Sequence, residues 1–125
     1  MMRTTTWRKY LSTNEEINRK RAEKIEVVMR KYPNRIPVMC HKSNSGITLK
    51  INVSSKVLVP DDYAFSQFTA VMRHQADLAP HEALFFFINQ TIIPPYNTKM
   101  RELYNKYKEA DGMLHIHYST ESAFG

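Results

Sequence analysis

Glycine and cysteine are both scarce in this sequence. Its 125 residues contain three glycines, at positions 46, 112 and 125, and this spacing excludes a glycine-rich phosphate-binding loop. The single cysteine excludes an internal disulfide and is typical of a protein in a reducing compartment. The longest purely apolar run, 83–88, is far shorter than the ~20 residues of a membrane-spanning helix. These features predict a cytoplasmic protein.

Charge is distributed unevenly along the chain. Residues 1–42 hold 11 Lys and Arg against 4 Asp and Glu, whereas residues 43–125 hold 7 against 8. The basic third could face nucleic acid, an anionic membrane, a filament surface or an acidic peptide, or it could be a solvated helix face. With 42% hydrophobic and 24% charged residues, the chain has the composition of one soluble globular domain.

Hydrophobic periodicity predicts three helices. Apolar residues recur at helical spacing from Ile17 to Tyr32, after a capping-box pattern and before Pro33, which predicts a helix over about 15–31. The same spacing predicts a second helix within 61–78 and a short third helix that ends near Asp111. The second helix is predicted to bury one face, formed by Phe65, Phe68, Thr69, Met72 and Ala76.

The remaining apolar segments have the pattern of strands. The pattern of residues 35–42 predicts one strand, and 47–53 alternate with period two, which predicts another. A continuation of this strand through 55–60 after a kink is compatible with the pattern. The segment 82–92 is the most apolar, and we expect it to be the central strand, buried on both faces. Residues 113–119 alternate again and predict the last strand.

The order of these elements indicates the fold class. Two strands, a helix and two more strands, with a short helix before the last strand, form the β-grasp arrangement of ubiquitin. We therefore predict an α+β, ubiquitin-like β-grasp domain over residues 32–125, preceded by an N-terminal helical extension over residues 1–31. Neither repeats nor low-complexity segments point to a second domain.

Several separated motifs then resemble one known family, the autophagy ubiquitin-like modifiers of the GABARAP and microtubule-associated light-chain type. In chain order these motifs are "KYPNRIPV" (31–38), "LVP" (58–60), "QF" (67–68), "LFFF" (84–87), "PP" (94–95) and the final "FG". The resemblance extends from about Lys24 to Gly125.

The resemblance implies a chemical role for Gly125. Members of this family expose a C-terminal glycine whose carboxylate is activated as an adenylate, passed through enzyme thioesters and joined to phosphatidylethanolamine on the autophagosome membrane. The implied partners are enzymes that resemble ubiquitin-activating and ubiquitin-conjugating enzymes, and a cysteine protease that processes or delipidates the modifier. Microtubules are a further candidate. A glycine at the end of a tail suits this chemistry, because a residue without Cβ can enter narrow enzyme channels.

The resemblance also implies a groove for adaptor and cargo-receptor peptides that carry an aromatic-x-x-aliphatic motif. Such a peptide would add a strand to the edge formed by Lys56, Val57 and Leu58. The residues implied for the aromatic pocket are Val28, Pro37, Leu58 and Met113. Those implied for the aliphatic pocket are Val57, Val59, Pro60, Tyr63, Phe68 and Val71, with Arg35 beside the groove.

The sequence departs from the family at three positions near this groove. Only Lys56 supplies charge in "SSK", where the family usually has more basic residues, and Gln75 stands where arginine is common. Met113 replaces a frequent aromatic residue, which should make its pocket softer. We expect binding to depend less on acidic residues that flank the peptide motif.

Other interpretations remain open from the residues alone. By pattern, Val28, Leu58 and Phe68 could simply be core residues. The chain could be a peptide-binding module that is never conjugated, or a basic nucleic-acid-binding domain, although Glu23 and Glu26 interrupt the basic patch.

An enzyme or a metal protein is less favoured. Cys40 and His41 are neighbours in a predicted strand, so they should point to opposite faces, and we expect Cys40 to be a buried apolar residue. His115 and His117 share a strand face, but no matching ligand spacing elsewhere in the sequence supports a metal. We therefore expect neither a catalytic residue nor a cofactor.

Overall fold

The computed structural model describes residues 13–43, 55–76, 78, 81, 83–89 and 92–120. The strand predicted at 47–53 and the proposed conjugation residue Gly125 lie outside the described residues. Of the helices within the described ranges, none combines the length and the hydropathy needed to cross a membrane.

Three helices and four strands make up the described chain. The helices are α1 (Thr13–Lys31), α2 (Phe65–Ala76) and α3 (Met100–Tyr107). The strands are β1 (Arg35–Lys42), β2 (Lys56–Pro60), β3 (Phe85–Phe87) and β4 (Leu114–Ser119). The predicted bounds of α1 and β1 are thus confirmed, whereas α2 and β3 are shorter than their apolar segments.

The strands form one mixed sheet in the order β2-β1-β4-β3. β1 pairs antiparallel with β2, and Pro37 lies opposite Leu58. β1 also pairs in parallel with β4, and Met39 lies opposite His115. β3 completes the sheet antiparallel to β4. This topology confirms the predicted ubiquitin-like α+β fold.

The prediction that 82–92 contains the central strand is wrong for the described sheet. β3 covers only three residues and lies at the outer position, while β1 and β4 are central. The segment is apolar because Phe86 and Phe87 are buried, and Phe86 meets the edge of the Phe68 ring of α2 with the ring centroids 5.9 Å apart. Strong hydrophobicity here reports packing against a helix rather than a central position.

The core lies between the sheet and the helices α2 and α3. Alternate residues of β1 and β4, such as Ile36, Val38 and Ile116, are fully buried. From α2, Phe65, Phe68, Met72 and Ala76 are buried, as the helical spacing predicted, while Thr69 is only half-buried. Each large apolar side chain buried in this way stabilises the fold by roughly 1.5–3 kcal/mol.

Helix α1 lies over the opposite face of the sheet. Since strand side chains alternate, Pro37 and Met39 point away from the core face that carries Ile36 and Val38. Pro37 and Met39 instead share a pocket with Ile25 and Val28 of α1. Helix α1 therefore forms one wall of a cleft whose floor is the sheet.

Candidate functional site: a pocket beside an open strand edge

The cleft between α1 and the sheet contains a pocket with a volume of about 260 Å³. Such a volume is close to the lower end of the range usual for ligand pockets. The pocket is lined by Arg21, Lys24, Ile25, Val28, Pro37, Met39, Lys56, Val57, Leu58 and Met113. Four of these, Val28, Pro37, Leu58 and Met113, are the residues that the family resemblance implied for an aromatic pocket.

Local structure explains why these side chains converge. Ile25 and Val28 are three residues apart on α1, so they project from the same face of the helix. Pro37 and Met39 are two residues apart on β1, so they share a face of the sheet. Leu58 of β2 lies directly opposite Pro37 and extends this apolar floor to the edge of the sheet.

Among the described strands β2 is outermost, so its outer edge can present backbone groups to an incoming chain. The Cys40 N–H donates to the Ser55 carbonyl oxygen at 2.7 Å, and antiparallel pairing alternates from that point along β1 and β2. Val57 and Val59 therefore direct their N–H and C=O groups toward β1, whereas Lys56 and Leu58 direct theirs toward the open edge. An extended peptide could pair with Lys56 and Leu58 and place a side chain in the adjacent pocket.

Arg35 lies at the end of this edge, opposite Pro60. Its side chain is exposed, and its Nη1 donates to the Leu58 carbonyl oxygen at 3.4 Å. This bond is long, and it competes with water, so its free-energy contribution is small. A peptide that pairs with Leu58 would displace the guanidinium or share the carbonyl with it.

The rim of the pocket is cationic. Arg21 and Lys24 of α1 and Lys56 of β2 line it, and no Asp or Glu occurs among the residues that line this pocket. Its floor is apolar, formed mainly by Pro37, Leu58 and the two methionines. The pocket therefore suits a flat apolar group, and its rim favours negative charge close by.

A tight turn before β4 shapes the pocket wall. The Asp111 carboxylate accepts a hydrogen bond from the Met113 N–H at 3.0 Å, and the Tyr104 hydroxyl donates to the Gly112 carbonyl at 2.8 Å. Gly112 has φ 81°, and a Cβ at this position would lie 3.2 Å from Cγ2 of Ile25. Glycine is thus needed both for the backbone conformation and for the close approach of α1.

Three histidines cluster on the same face of the sheet as the pocket floor. His41 Nε2 lies 2.7 Å from His115 Nδ1, and His115 Nε2 lies 2.8 Å from Oδ2 of Asp111. The ring of His117 lies 4.9 Å from that of His41 between centroids. Burial is the main cause of the lowered pKa of His41 and of His117; His115 lowers both further, and His117 also lowers the pKa of His41.

This cluster is not arranged as a metal site. No group of three or more His, Cys, Asp or Glu side chains that could hold a metal ion occurs within the described ranges. Cys40 is buried, as expected, and burial raises the pKa of its thiol to about 12. Cys40 is therefore present as the neutral thiol at physiological pH, which is unsuited to nucleophilic catalysis.

The residues implied for an aliphatic pocket lie around the end of β2 and on α2. Val59 and Phe68 belong to the buried core, with 6% and 1% of their surface exposed. Val57 and Tyr63 are half-buried against that core, and Val71 is 42% exposed on α2. Pro60 ends β2 close to them. A ligand at this place would first meet Val71 and Tyr63, and it would reach Phe68 only if side chains moved.

Sequence reasoning missed four of the pocket residues, namely Arg21, Lys24, Ile25 and Met39. Ile25 could have been found from its helical spacing to Val28, and Met39 from its two-residue spacing to Pro37. It also missed that His41 joins His115, because the register between β1 and β4 cannot be derived from either strand alone.

Comparisons with known proteins agree with this architecture. Residues 20–125 match the family described as "Autophagy protein Atg8 ubiquitin like". The autophagy-related protein 8 of Mycosarcoma maydis is 38% identical over 112 residues, which cover 90% of this chain and 93% of that relative. The protein of the same name from Schizosaccharomyces pombe is 40% identical over 106 residues, covering 85% and 86% respectively.

Solved structures show the same likeness. Plasmodium falciparum Atg8, solved in complex with a Plasmodium falciparum Atg3 peptide, matches with a TM-score of 0.75 and 30% identity, covering 84% of this chain and 91% of that one. Trypanosoma brucei ATG8 matches with a TM-score of 0.70 and 32% identity, covering 86% and 91%. The similarity therefore extends over both the fold and most of the sequence.

Proposed function

Because the chain belongs to the Atg8 family of autophagy ubiquitin-like proteins, we propose that it is a lipid-conjugated modifier and not an enzyme. In this proposal the Gly125 carboxylate is joined to the amine of phosphatidylethanolamine, and the protein moves from the cytoplasm to the autophagosome membrane. The groove between α1 and β2 then recruits adaptors and cargo receptors. The pocket beside an open strand edge is the observation that carries the recruiting role.

Support for conjugation comes from sequence, since Gly125 lies outside the described residues. The family match continues through residue 125 and so includes the final glycine. Phosphatidylethanolamine brings two acyl chains, which suffice for stable anchoring of a protein. The chain would supply the carboxylate and the recognition surface, while activating-like and conjugating-like enzymes and a cysteine protease would supply the catalysis.

A conjugating-enzyme partner has specific support. The Plasmodium falciparum relative was solved with an Atg3 peptide bound. The pocket and the outward-facing backbone of Lys56 and Leu58 would let this chain receive a peptide from its own conjugating enzyme by strand addition. The same groove would receive adaptor peptides at other times.

The conjugation proposal is tested in starved cells by comparing wild type, a variant lacking Gly125 and the tail control Ser122→Ala. Membranes are separated by flotation, and the mass of the C-terminal peptide is determined. We expect a phosphatidylethanolamine adduct on Gly125 in wild type and in the control but not in the deletion variant. If no form carries an adduct, the chain is an unconjugated peptide-binding module.

Strand addition is tested with a Trp-x-x-Leu peptide and two N-methylated versions of it. In a paired strand only alternate N–H groups face the partner. Methylation of an N–H that faces Leu58 or Lys56 should abolish binding, whereas methylation of the next N–H should preserve it. Equal loss, or no loss, from methylation at successive positions would exclude strand addition.

A further inference from the structure

Two of the three histidines near the pocket, His41 and His115, are hydrogen-bonded in series with Asp111. Asp111 accepts through Oδ2 from His115, whose other ring nitrogen faces His41, and His117 stacks beside His41. The ring planes of His41 and His115 are 11° apart, so the two rings are nearly parallel. The His115 and Asp111 side chains are 13% and 4% exposed, so water has little access to the contact between them.

The partners determine where the protons lie. A carboxylate accepts only, so His115 Nε2 carries the proton that it donates to Asp111. His115 Nδ1 is then the acceptor when this ring is neutral, and His41 Nε2 donates to it. A proton added at His41 Nδ1 leaves this bond in place, because His41 Nε2 still donates to His115 Nδ1.

Asp111 connects the hydrogen-bonded histidines to the pocket wall. One of its oxygens accepts from His115, and the other accepts from the backbone N–H of Met113. Met113 lines the pocket, and Gly112 between them lies against Ile25, which also lines it. A shift of His115 would therefore act on two pocket walls through a single carboxylate.

Other charged groups around the three histidines influence how readily these rings are protonated. Glu109 and Asp111, in the turn after α3, raise the pKa of His41, but burial and the other two histidines lower it more. Arg21 and Lys24 from α1 and Lys56 from β2 line the neighbouring pocket and add to the positive charge on this face. When His41 and His117 are both protonated, two like charges lie on rings whose centroids are 4.9 Å apart, and they repel.

We propose that His41, His115 and His117 form a proton-controlled support for the pocket wall, so that the groove loses affinity for its peptide as the pH falls from about 7.5 to about 5.5. This inference rests on the proposed peptide groove. At the higher pH the histidines are neutral, and His115 keeps its hydrogen bond to Asp111, which in turn fixes the position of Met113. When His41 and His117 are both protonated, their stacked rings repel each other, His41 moves away from His115, and the wall loses its fixed position.

The test uses a capped Trp-x-x-Leu peptide with only Ser, Thr and Gln elsewhere, so that the probe itself does not titrate. Its affinity is measured by calorimetry at constant ionic strength, and we expect a loss of about tenfold between roughly pH 7.5 and pH 5.5 for wild type. The double variant His41→Gln/His117→Gln keeps an amide donor near His115 without a titrating ring, and it should lose less than about twofold.

The matched control is His74→Gln, which removes an exposed histidine of α2 outside the cluster. It should follow the wild-type pH profile. Since the double variant could fold poorly, the Met113 amide and the histidine rings of wild type are also titrated by NMR. They should shift together in one pH range.

Different results separate the two proposals. Failure of wild type to bind the peptide at the higher pH would overturn the groove and this inference with it. Binding that is equal at both pH values would overturn only the proton control. The same holds if the double variant weakens as steeply as wild type, or if the Met113 amide does not follow the histidines.

Discussion

Arg101 and Asp61 are forty positions apart in sequence and form an ion pair with Nη2 and Oδ2 at 3.0 Å. The same Nη2 donates to the Pro33 carbonyl at 3.0 Å, and the backbone N–H of Arg101 donates to the Asp61 carbonyl. This arrangement joins α3 to the end of β2 and to the turn that follows α1. It fixes the position of α1 relative to β2, the two elements that border the proposed groove.

Loss of this contact should destabilise the protein measurably. Arg101→Met should lower the free energy of unfolding by about 1–2 kcal/mol, because a charged hydrogen bond is lost at a site that remains about one-third exposed. Arg30→Met is the matched control, since Arg30 forms an exposed pair with Glu26 at 3.8 Å. Urea unfolding should show less than about 0.5 kcal/mol for the control. Equal effects would mean that the Arg101 contact has no special role.

Two adjacent valines of α1 provide a test of the pocket. Val28 lines it, whereas Val27 is 62% exposed. Val28→Ala should weaken binding of an aromatic-x-x-aliphatic peptide by about tenfold, because about two buried methylene equivalents of contact are lost. Val27→Ala should change the affinity by less than about twofold. Titration calorimetry on both variants would contradict the proposed pocket if it ranked them in the opposite order.

Stability should fall as the solution becomes mildly acidic. Burial lowers the pKa of His41 and His117 below the ordinary value of 6.5, so the unfolded chain binds more protons than the folded one between about that pH and the lowered pKa values. The free energy of unfolding should therefore decrease as the pH drops from about 7 through 6.5 toward the lowered pKa values. Urea unfolding at several pH values measures this slope, which should be shallower in His41→Gln/His117→Gln. An equal slope in that variant would assign the effect to other groups.

Cys40 should resist alkylation in the folded protein. Burial raises the pKa of its thiol to about 12, so the thiolate fraction at about pH 8 is on the order of 10⁻⁴. Iodoacetamide should add no mass to the native protein over a time in which the protein in concentrated urea is fully modified. Because the chain has one cysteine, any adduct reports this residue. Rapid modification of the native protein would show that β1 opens readily.

A side chain at position 112 should strain the turn beside the pocket. Gly112→Ala should lower the free energy of unfolding by about 1–3 kcal/mol, since φ 81° is unfavourable for alanine and its Cβ would approach Ile25. Gly112→Asn should cost less for the backbone, because asparagine tolerates this conformation better. Ala110→Ser, in the same turn but exposed, is the control and should have little effect. A neutral Gly112→Ala would show that α1 can move away at low cost.

Local patterns predicted most of the fold correctly. Helix α1 and strand β1 occur where spacing and the flanking Pro33 placed them, because their periodicity directly reflects one buried face. The position of β3 could not be predicted in this way. Hydrophobicity reports how deeply Phe86 is buried, and it does not tell whether the covering atoms belong to a strand or to a helix.

The pocket was predictable only in part, and for a physical reason. The family resemblance supplied Val28, Pro37, Leu58 and Met113, although by pattern alone a valine on a helix face is a core residue. The link from Asp111 through His115 to His41 depends on the parallel register of β1 with β4. A shift of one residue would point the histidines to the other face, so no local signal could reveal the cluster.

The open edge of β2 has a consequence for the behaviour of the protein at high concentration. Backbone groups that can pair with a peptide can equally pair with the same edge of another molecule and so begin aggregation. Lys56 and Arg35 are exposed near the two ends of this strand. Two copies that met edge to edge would bring these cations together, and their repulsion opposes self-association while leaving the edge accessible to a neutral or acidic peptide. The positive charge around β2 therefore disfavours pairing of this edge between two copies of the protein.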